Sequence, residues 1–128
     1  MRPAGEQSDA HQRQPLRLRK HAVGEPRILH ARALAPDPEV ILFDEPFGSL
    51  DALTRERFYA QLQDVFARTR RTGVFVTHNV REAACLGDRV IVLTSRPGRI
   101  RTIVPIPLPR PRDFYDPEVS KLASHILG

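Results

Sequence analysis

The sequence predicts an α/β fold built on parallel strands, and two observations support it. Val40–Phe43 and Val74–Thr77 are continuous apolar runs that end in polar residues, a pattern typical of strands buried on both faces. A long amphipathic segment separates these runs, and a shorter one follows the second before a third strand at Arg89–Leu93. Strands that alternate with helices in this way indicate crossover connections and a parallel sheet.

The N-terminal segment 1–26 is rich in Arg, Gln and Pro and has no strand or helix period, so it predicts a basic, disordered arm. Residues 27–128 form the second unit. It begins with a short helix over 27–34, which the prolines at positions 36 and 38 end.

The segment 52–70 predicts the longest helix, since Phe58, Leu62, Val65 and Phe66 recur on one stripe. Asp51 can cap its first turn, and Thr72-Gly73 stops it. Cys85 lies in the short helix over 81–86 among small apolar residues, where packing is its expected role.

The C-terminal third predicts a hairpin and a final helix. The turn at 96–99 returns the chain so that the strand at 100–106 runs antiparallel to the third strand. Alternating prolines from 105 to 111 then require an extended segment. Asp116 as a cap and Pro117 in the first turn begin an amphipathic helix.

Composition limits the possible functions. A chain of 128 residues with one cysteine predicts one small domain or part of one, without an internal disulfide, and no apolar run approaches the ~18 residues of a membrane span. Residues 1–32 carry seven basic residues against three acidic ones, whereas the remainder is nearly neutral with thirteen against twelve. Nucleic-acid binding by this arm stays a weak alternative, because no recognition motif accompanies its basic residues, Arg13, Arg17, Arg19, Lys20 and Arg27.

Asp44 and Glu45 follow the first apolar strand, and His78 follows the second. The C-terminal ends of parallel strands meet at one sheet edge, where open α/β sheets bind ligands, so these three side chains should converge there. An apolar strand followed by Asp-Glu is the Walker B pattern. Taken alone, it also fits a strand that ends in a solvated acidic turn.

Five elements in order and spacing resemble the second half of ABC transporter ATP-binding subunits. They are Ala31-Arg32-Ala33-Leu34, Asp37-Pro38, Val40-Ile41-Leu42-Phe43-Asp44-Glu45-Pro46-Phe47, Gly48-Ser49-Leu50-Asp51 and Val76-Thr77-His78. The stretch 90–112, with its Ser-Arg-Pro-Gly-Arg-Ile turn, is similar to the nitrate, sulfonate and taurine importer branch. The resemblance implies the C-terminal part of a P-loop, RecA-like ATPase core.

The resemblance also implies roles for individual residues. Asp44 would hold Mg²⁺ beside ATP, Glu45 would polarise the attacking water, and His78 would contact the γ-phosphate. Ser49 and Asp51 lie in the D-loop, which communicates with the nucleotide site across the interface of two ATPase subunits. Asp51 as a plain helix cap is the alternative interpretation.

The implied assembly is an importer of a small anion. The subunit would lie on the cytoplasmic face of the membrane, bound to a permease and to a second ATPase subunit. It would receive substrate indirectly from a periplasmic binding protein, and no nucleic acid is expected.

Two family elements are missing and one is altered. No G-x-x-x-x-G-K-[ST] phosphate loop occurs, and the residues before Ala31 do not match the Leu-Ser-Gly-Gly-Gln signature. Asn79 replaces the usual aspartate after the histidine. We therefore expect a C-terminal fragment, produced by truncation or a frame change near Arg27, that does not hydrolyse ATP alone. A non-catalytic module that pairs with an intact ATPase subunit is the alternative, and the sequence leaves open whether the chain is an enzyme.

Overall fold

The computed structural model describes residues 20–21 and 39–128, and it confirms the predicted α/β class. The predicted helix over 27–34, and the N-terminal arm 1–26 apart from residues 20–21, lie outside the described residues. The elements, in chain order, are β1 Lys20–His21, β2 Val40–Asp44, α1 Ala52–Thr69, β3 Thr72–Val76, α2 Val80–Leu86, β4 Arg89–Leu93, β5 Ile100–Pro105 and α3 Pro117–Leu127.

The parallel sheet has the order β1-β2-β3. Asp44 is paired with Val76, so β2 and β3 end at the same edge. Lys20 is paired with Leu42 on the other side of β2, so β1 satisfies backbone N–H and C=O groups on the side of β2 that faces away from β3. The disorder expected of the segment 1–26 stays a prediction.

The third predicted strand does not extend this sheet among the described residues. Instead, β4 pairs with β5 in a separate antiparallel hairpin. Short connections favour such local pairing because closing a short loop costs little entropy. The turn also has its own hydrogen bonds: Thr94 N donates to Arg99 O at 2.8 Å, and Arg99 N donates to the Thr94 hydroxyl at 3.0 Å.

Helix α1 covers one face of the parallel sheet. Phe43 of β2 stacks on Phe75 of β3 with ring centroids 4.6 Å apart, and Phe66 of α1 meets both rings edge-on. A Cβ at position 73 would lie 2.6 Å from the Phe66 ring, so Gly73 lets the helix approach the sheet. Gly73 belongs to β3 and does not stop α1, which ends at Thr69 with Arg70 as its C-cap at a φ of 49°.

Helices α2 and α3 complete the core. Ala84 and Cys85 are fully buried beneath Val119, Ala123 and Ile126, the apolar stripe of α3. Asp116 caps α3 by accepting from Glu118 N at 2.8 Å, and Pro117 occupies the first turn, as the sequence predicts. Within the described ranges, no helix is both long and apolar enough to cross a membrane.

The strands also carry apolar side chains that nothing described covers. Val76 of β3 is 49% exposed, although strands of a parallel sheet are normally buried on both faces, and Leu93 of the hairpin strand β4 is 62% exposed. In β3 and β4 the uncovered side chains alternate with half-buried ones, so they form faces and not scattered positions. These faces are called the open strand faces below, and they comprise Val74, Val76, Ile91, Leu93, Ile100 and Ile103.

Burial of Cys85 makes a first testable prediction. The thiol has no exposed surface, and burial raises its pKa to about 11. The reactive thiolate is correspondingly scarce near neutral pH. We expect the folded chain to react with a thiol reagent at pH 8 at least about 100-fold more slowly than the chain in guanidinium. Equal rates in the two conditions would show that Cys85 is not held in the core.

Candidate functional site

The carboxyl end of β2 presents Asp44 and Glu45. Asp44 is the exposed last residue of the strand. Glu45 continues the pairing by one hydrogen bond, from its N–H to Val76 O at 2.8 Å, but its φ is 45°. A non-glycine residue in the left-handed region costs ~1 kcal/mol or more, and such strain concentrates at functional sites. The turn directs the Glu45 side chain toward the end of β3.

His78 meets Glu45 at that edge. Glu45 Oε1 accepts a hydrogen bond from the His78 backbone N–H at 2.9 Å and lies 2.9 Å from His78 Nδ1. The predicted convergence of these two residues is confirmed. The His78 side chain is 88% exposed and that of Glu45 is 40% exposed, so a ligand can reach both. An Nδ1–H donated to the carboxylate leaves Nε2 to face such a ligand.

Ser49 and Asp51 lie in the turn between β2 and α1. Phe47 anchors this turn in the core at 3% exposure, and Leu50 N donates to Phe47 O at 3.2 Å. Asp51 caps α1 by accepting from Thr54 N at 3.0 Å, and hydrogen bonding to the Thr54 side chain, followed by this amide, lowers the pKa of Asp51. Ser49 and Asp51 are exposed. Among the described contacts, no hydrogen bond joins Ser49 or Asp51 to Glu45 or His78. The structure therefore shows one role in this turn, the capping of α1 by Asp51.

Asn79, the departure from the usual aspartate, is the N-cap of α2. Its side-chain oxygen accepts from Arg81 N at 3.1 Å and from Glu82 N at 3.3 Å. Asn and Asp cap helices about equally well, which explains why the substitution keeps the local structure.

Sequence reasoning missed a buried polar cluster behind His78. Tyr59, Thr77 and Glu82 lie in three different elements or loops and are joined by two hydrogen bonds of 2.6 Å. A glutamate in the first turn of an amphipathic helix gives no signal of burial. The one sequence feature that pointed to this cluster was Thr77, a hydrogen-bonding residue directly before the histidine.

A magnesium ion at this site would need only one or two ligands from the protein. Within residues 20–21 and 39–128, no group of three His, Cys, Asp or Glu side chains is arranged to hold a metal. Mg²⁺ does not require such a group, because it commonly takes one or two carboxylates, waters and the phosphates of its nucleotide. Asp44, a single exposed carboxylate at the strand end, fits that pattern.

The chain is similar to ATP-binding proteins of transporters. It is 53% identical over 102 residues to an uncharacterized ABC transporter ATP-binding protein of Methanocaldococcus jannaschii, covering 80% of this chain and 38% of the relative. It is 52% identical over 92 residues to an aliphatic sulfonates import ATP-binding protein of Nocardia farcinica, covering 72% and 38%. The corresponding protein of Frankia casuarinae is 48% identical over 102 residues, covering 80% and 33%.

No protein-family model matches the chain. The relatives nevertheless agree, and the chain belongs to the family of ABC transporter ATP-binding proteins, of which it carries a partial, C-terminal region. It spans 33% to 38% of the length of these three relatives. Two of them are named as aliphatic sulfonate importers, which agrees with the branch that the 90–112 stretch resembles.

Proposed function

We propose that the chain supplies the hydrolytic edge of the ATP site in an ABC importer subunit. The observation that supports this most is the Glu45–His78 pair, held at 2.9 Å where two adjacent parallel strands end. Nucleotides bind at this edge in open α/β sheets. A solvated acidic turn, the alternative interpretation of the sequence, would not require a strained backbone at Glu45 or its two hydrogen bonds to His78.

Glu45 is the proposed catalytic carboxylate. Its backbone is fixed to β3 and its Oε1 to His78, so its remaining carboxylate lone pairs can accept a hydrogen bond from a water molecule. That water would be polarised for attack on the γ-phosphate. His78 Nε2 would contact the γ-phosphate, and the Nδ1 contact with Glu45 would fix the ring orientation. Asp44 would hold Mg²⁺, which when bound neutralises charge on the phosphates.

Ser49 and Asp51 are proposed to face a second ATPase subunit. Both side chains are exposed beside the site, and Asp51 caps α1 from this exposed position. A second subunit would then contact the same turn that positions α1.

The proposed transport substrate is a small anion such as a sulfonate. The names of the Nocardia and Frankia relatives support it, together with the similarity of the 90–112 stretch to that branch. The proposed partners are a membrane permease, a second ATPase subunit and, indirectly, a periplasmic binding protein. The proposed location is the cytoplasmic face of the membrane.

Isolated, the chain is expected to bind Mg-ATP weakly at best and not to hydrolyse it. Two carboxylates and a histidine do not replace the backbone amides and lysine of a phosphate loop. Isothermal titration calorimetry of the chain with Mg-ATP measures this directly. Binding at micromolar concentration or tighter would show that the described residues, or the N-terminal arm, cradle phosphates by themselves.

A non-catalytic module that binds an ATPase subunit is the second candidate, and the open strand faces favour it. Val74 and Leu93 are exposed at 42% and 62%, which indicates a surface that another polypeptide covers. The hydrolytic proposal also needs such a polypeptide, because the phosphate loop must come from it. The two candidates predict different results in one experiment. When the chain is joined to a segment that contains the phosphate loop, ATP hydrolysis requires Glu45 under the hydrolytic proposal and does not require it under the second candidate.

A further inference from the structure

A buried carboxylate lies directly behind the proposed site. Glu82, in the first turn of α2, is only 5% exposed. Its Oε1 accepts a hydrogen bond from the Tyr59 hydroxyl and its Oε2 accepts one from the Thr77 hydroxyl, both at 2.6 Å. Burying a carboxylate costs several kcal/mol unless strong hydrogen bonds compensate, and such short bonds to a charged oxygen are the strong kind. The proposed hydrolysis uses none of these three side chains.

The Thr77 hydroxyl connects Glu82 to the backbone around His78. Thr77 directly precedes His78, and its Oγ1 also accepts a hydrogen bond from Asn79 N at 3.0 Å. The hydroxyl thus belongs to the residue before His78 and holds the amide of the residue after it. Because His78 N donates to Glu45, any movement of this backbone changes the contact between the two proposed site residues.

Tyr59 connects the same carboxylate to α1. Its ring lies between Phe47 and Phe114, with centroids 5.0 Å and 5.1 Å away, so the hydroxyl has little freedom to move. Burial and the bond to Glu82 raise the pKa of Tyr59, which keeps the hydroxyl protonated as a donor. Tyr59 lies within α1, which begins at Ala52, so this contact joins α1 through Glu82 to the loop of His78.

We propose that Glu82 is a positioning residue: through Thr77 it sets His78 against Glu45, and through Tyr59 it holds that setting relative to α1. The part of this inference that concerns ATP hydrolysis rests on the proposed function. The part that concerns the Glu45–His78 contact does not.

The geometry explains why a carboxylate is required. The Thr77 oxygen already accepts from Asn79 N, so its own hydrogen must find an acceptor. The Tyr59 hydrogen points at the other oxygen of the same group. A carboxylate accepts both hydrogens, whereas a glutamine amide offers one acceptor and one donor group. In Glu82→Gln, one buried hydroxyl therefore loses its acceptor.

Amide hydrogen exchange of the full chain, followed by NMR, tests the positioning role without nucleotide. The measured quantity is the exchange rate of the His78 amide, which donates to Glu45, relative to that of Leu62 in the core of α1. In Glu82→Gln and Thr77→Val we expect this ratio to rise about tenfold, with shifted His78 ring nitrogen resonances. Thr77→Ser keeps the hydroxyl and should behave like the wild type.

Gln63→Leu is the matched control. Gln63 is equally buried and exchanges two hydrogen bonds with the backbone of Arg112, at 2.8 Å and 2.7 Å. Its loss should destabilise the chain, which speeds exchange at Leu62, and should not raise the His78 ratio. If Glu82→Gln does not fold, Thr77→Val against Thr77→Ser decides. An unchanged ratio in the folded Glu82 and Thr77 variants would overturn the proposal, as would an equal rise in Gln63→Leu.

This test is separate from that of the proposed function. A changed His78 ratio combined with hydrolysis that does not need Glu45 would retain the positioning role and reject the ATPase assignment. An unchanged His78 ratio combined with hydrolysis that depends on Glu45 would reject the positioning role and retain the ATPase assignment.

Discussion

Replacing Arg112 with alanine is expected to lower the free energy of unfolding by about 3 kcal/mol. The guanidinium is 8% exposed and donates to Gly87 O at 2.6 Å, Cys85 O at 3.2 Å, Ala84 O at 3.3 Å and Leu108 O at 2.8 Å. Three of these carbonyls lie at the C-terminal end of α2, where a helix has no partners of its own. Removing the side chain leaves several buried acceptors unsatisfied and opens a cavity beside Cys85.

Urea unfolding followed by circular dichroism measures this effect. Arg112→Lys should recover only a minor part of the loss, because an ammonium group lacks the planar set of donors that reaches several carbonyls. Arg68→Ala is the control, since Arg68 forms an exposed pair with Asp64 at 2.9 Å and should cost less than about 0.5 kcal/mol. Similar losses for Arg112→Ala and Arg68→Ala would contradict the structural role given to Arg112.

The parts of the fold that local pattern determines could be predicted from the sequence. The apolar run of β2 and the stripe of α1 reflect burial, which constrains residues two or 3.6 positions apart. The caps Asp51 and Asp116 were predictable for the same reason, because each bonds an amide two or three residues ahead.

Features that depend on distant residues were not predictable. Arg112 belongs to a Leu-Pro-Arg-Pro-Arg stretch that the sequence associates with a transporter branch, and nothing local shows that its guanidinium closes the end of α2. The separation of β4 from the parallel sheet is also a tertiary effect, since a strand's pattern shows that it pairs but not with which strand.

The candidate site also combines features that local pattern determines with features that depend on distant residues. Glu45 and His78 were predictable because strand ends and motif spacing place them, although their direct contact was not. Glu82 was missed because its partners are 23 and five residues away, on α1 and at the end of β3. Buried polar networks of this kind have no period in the sequence.

The largest functional effect is expected at Glu45. The domain can be completed by fusing the 102 matched residues of this chain to the part of the Methanocaldococcus relative that precedes its match. We expect Glu45→Gln in this fusion to lower the rate of ATP hydrolysis by about 10²–10³-fold, since an amide does not polarise water as a carboxylate does. Mg-ATP affinity should change little, because Asp44 and the phosphate loop are retained.

Single-turnover hydrolysis of radiolabelled ATP by this fusion tests the central claim most directly. The wild type, Glu45→Gln and a control, Glu56→Gln, are compared at a protein concentration that saturates the nucleotide. Glu56 is a helix carboxylate outside the proposed site, so its variant should hydrolyse ATP at the wild-type rate. The account predicts phosphate release by the wild type and Glu56→Gln, and bound but uncleaved ATP in Glu45→Gln. Hydrolysis by Glu45→Gln at the wild-type rate would contradict it.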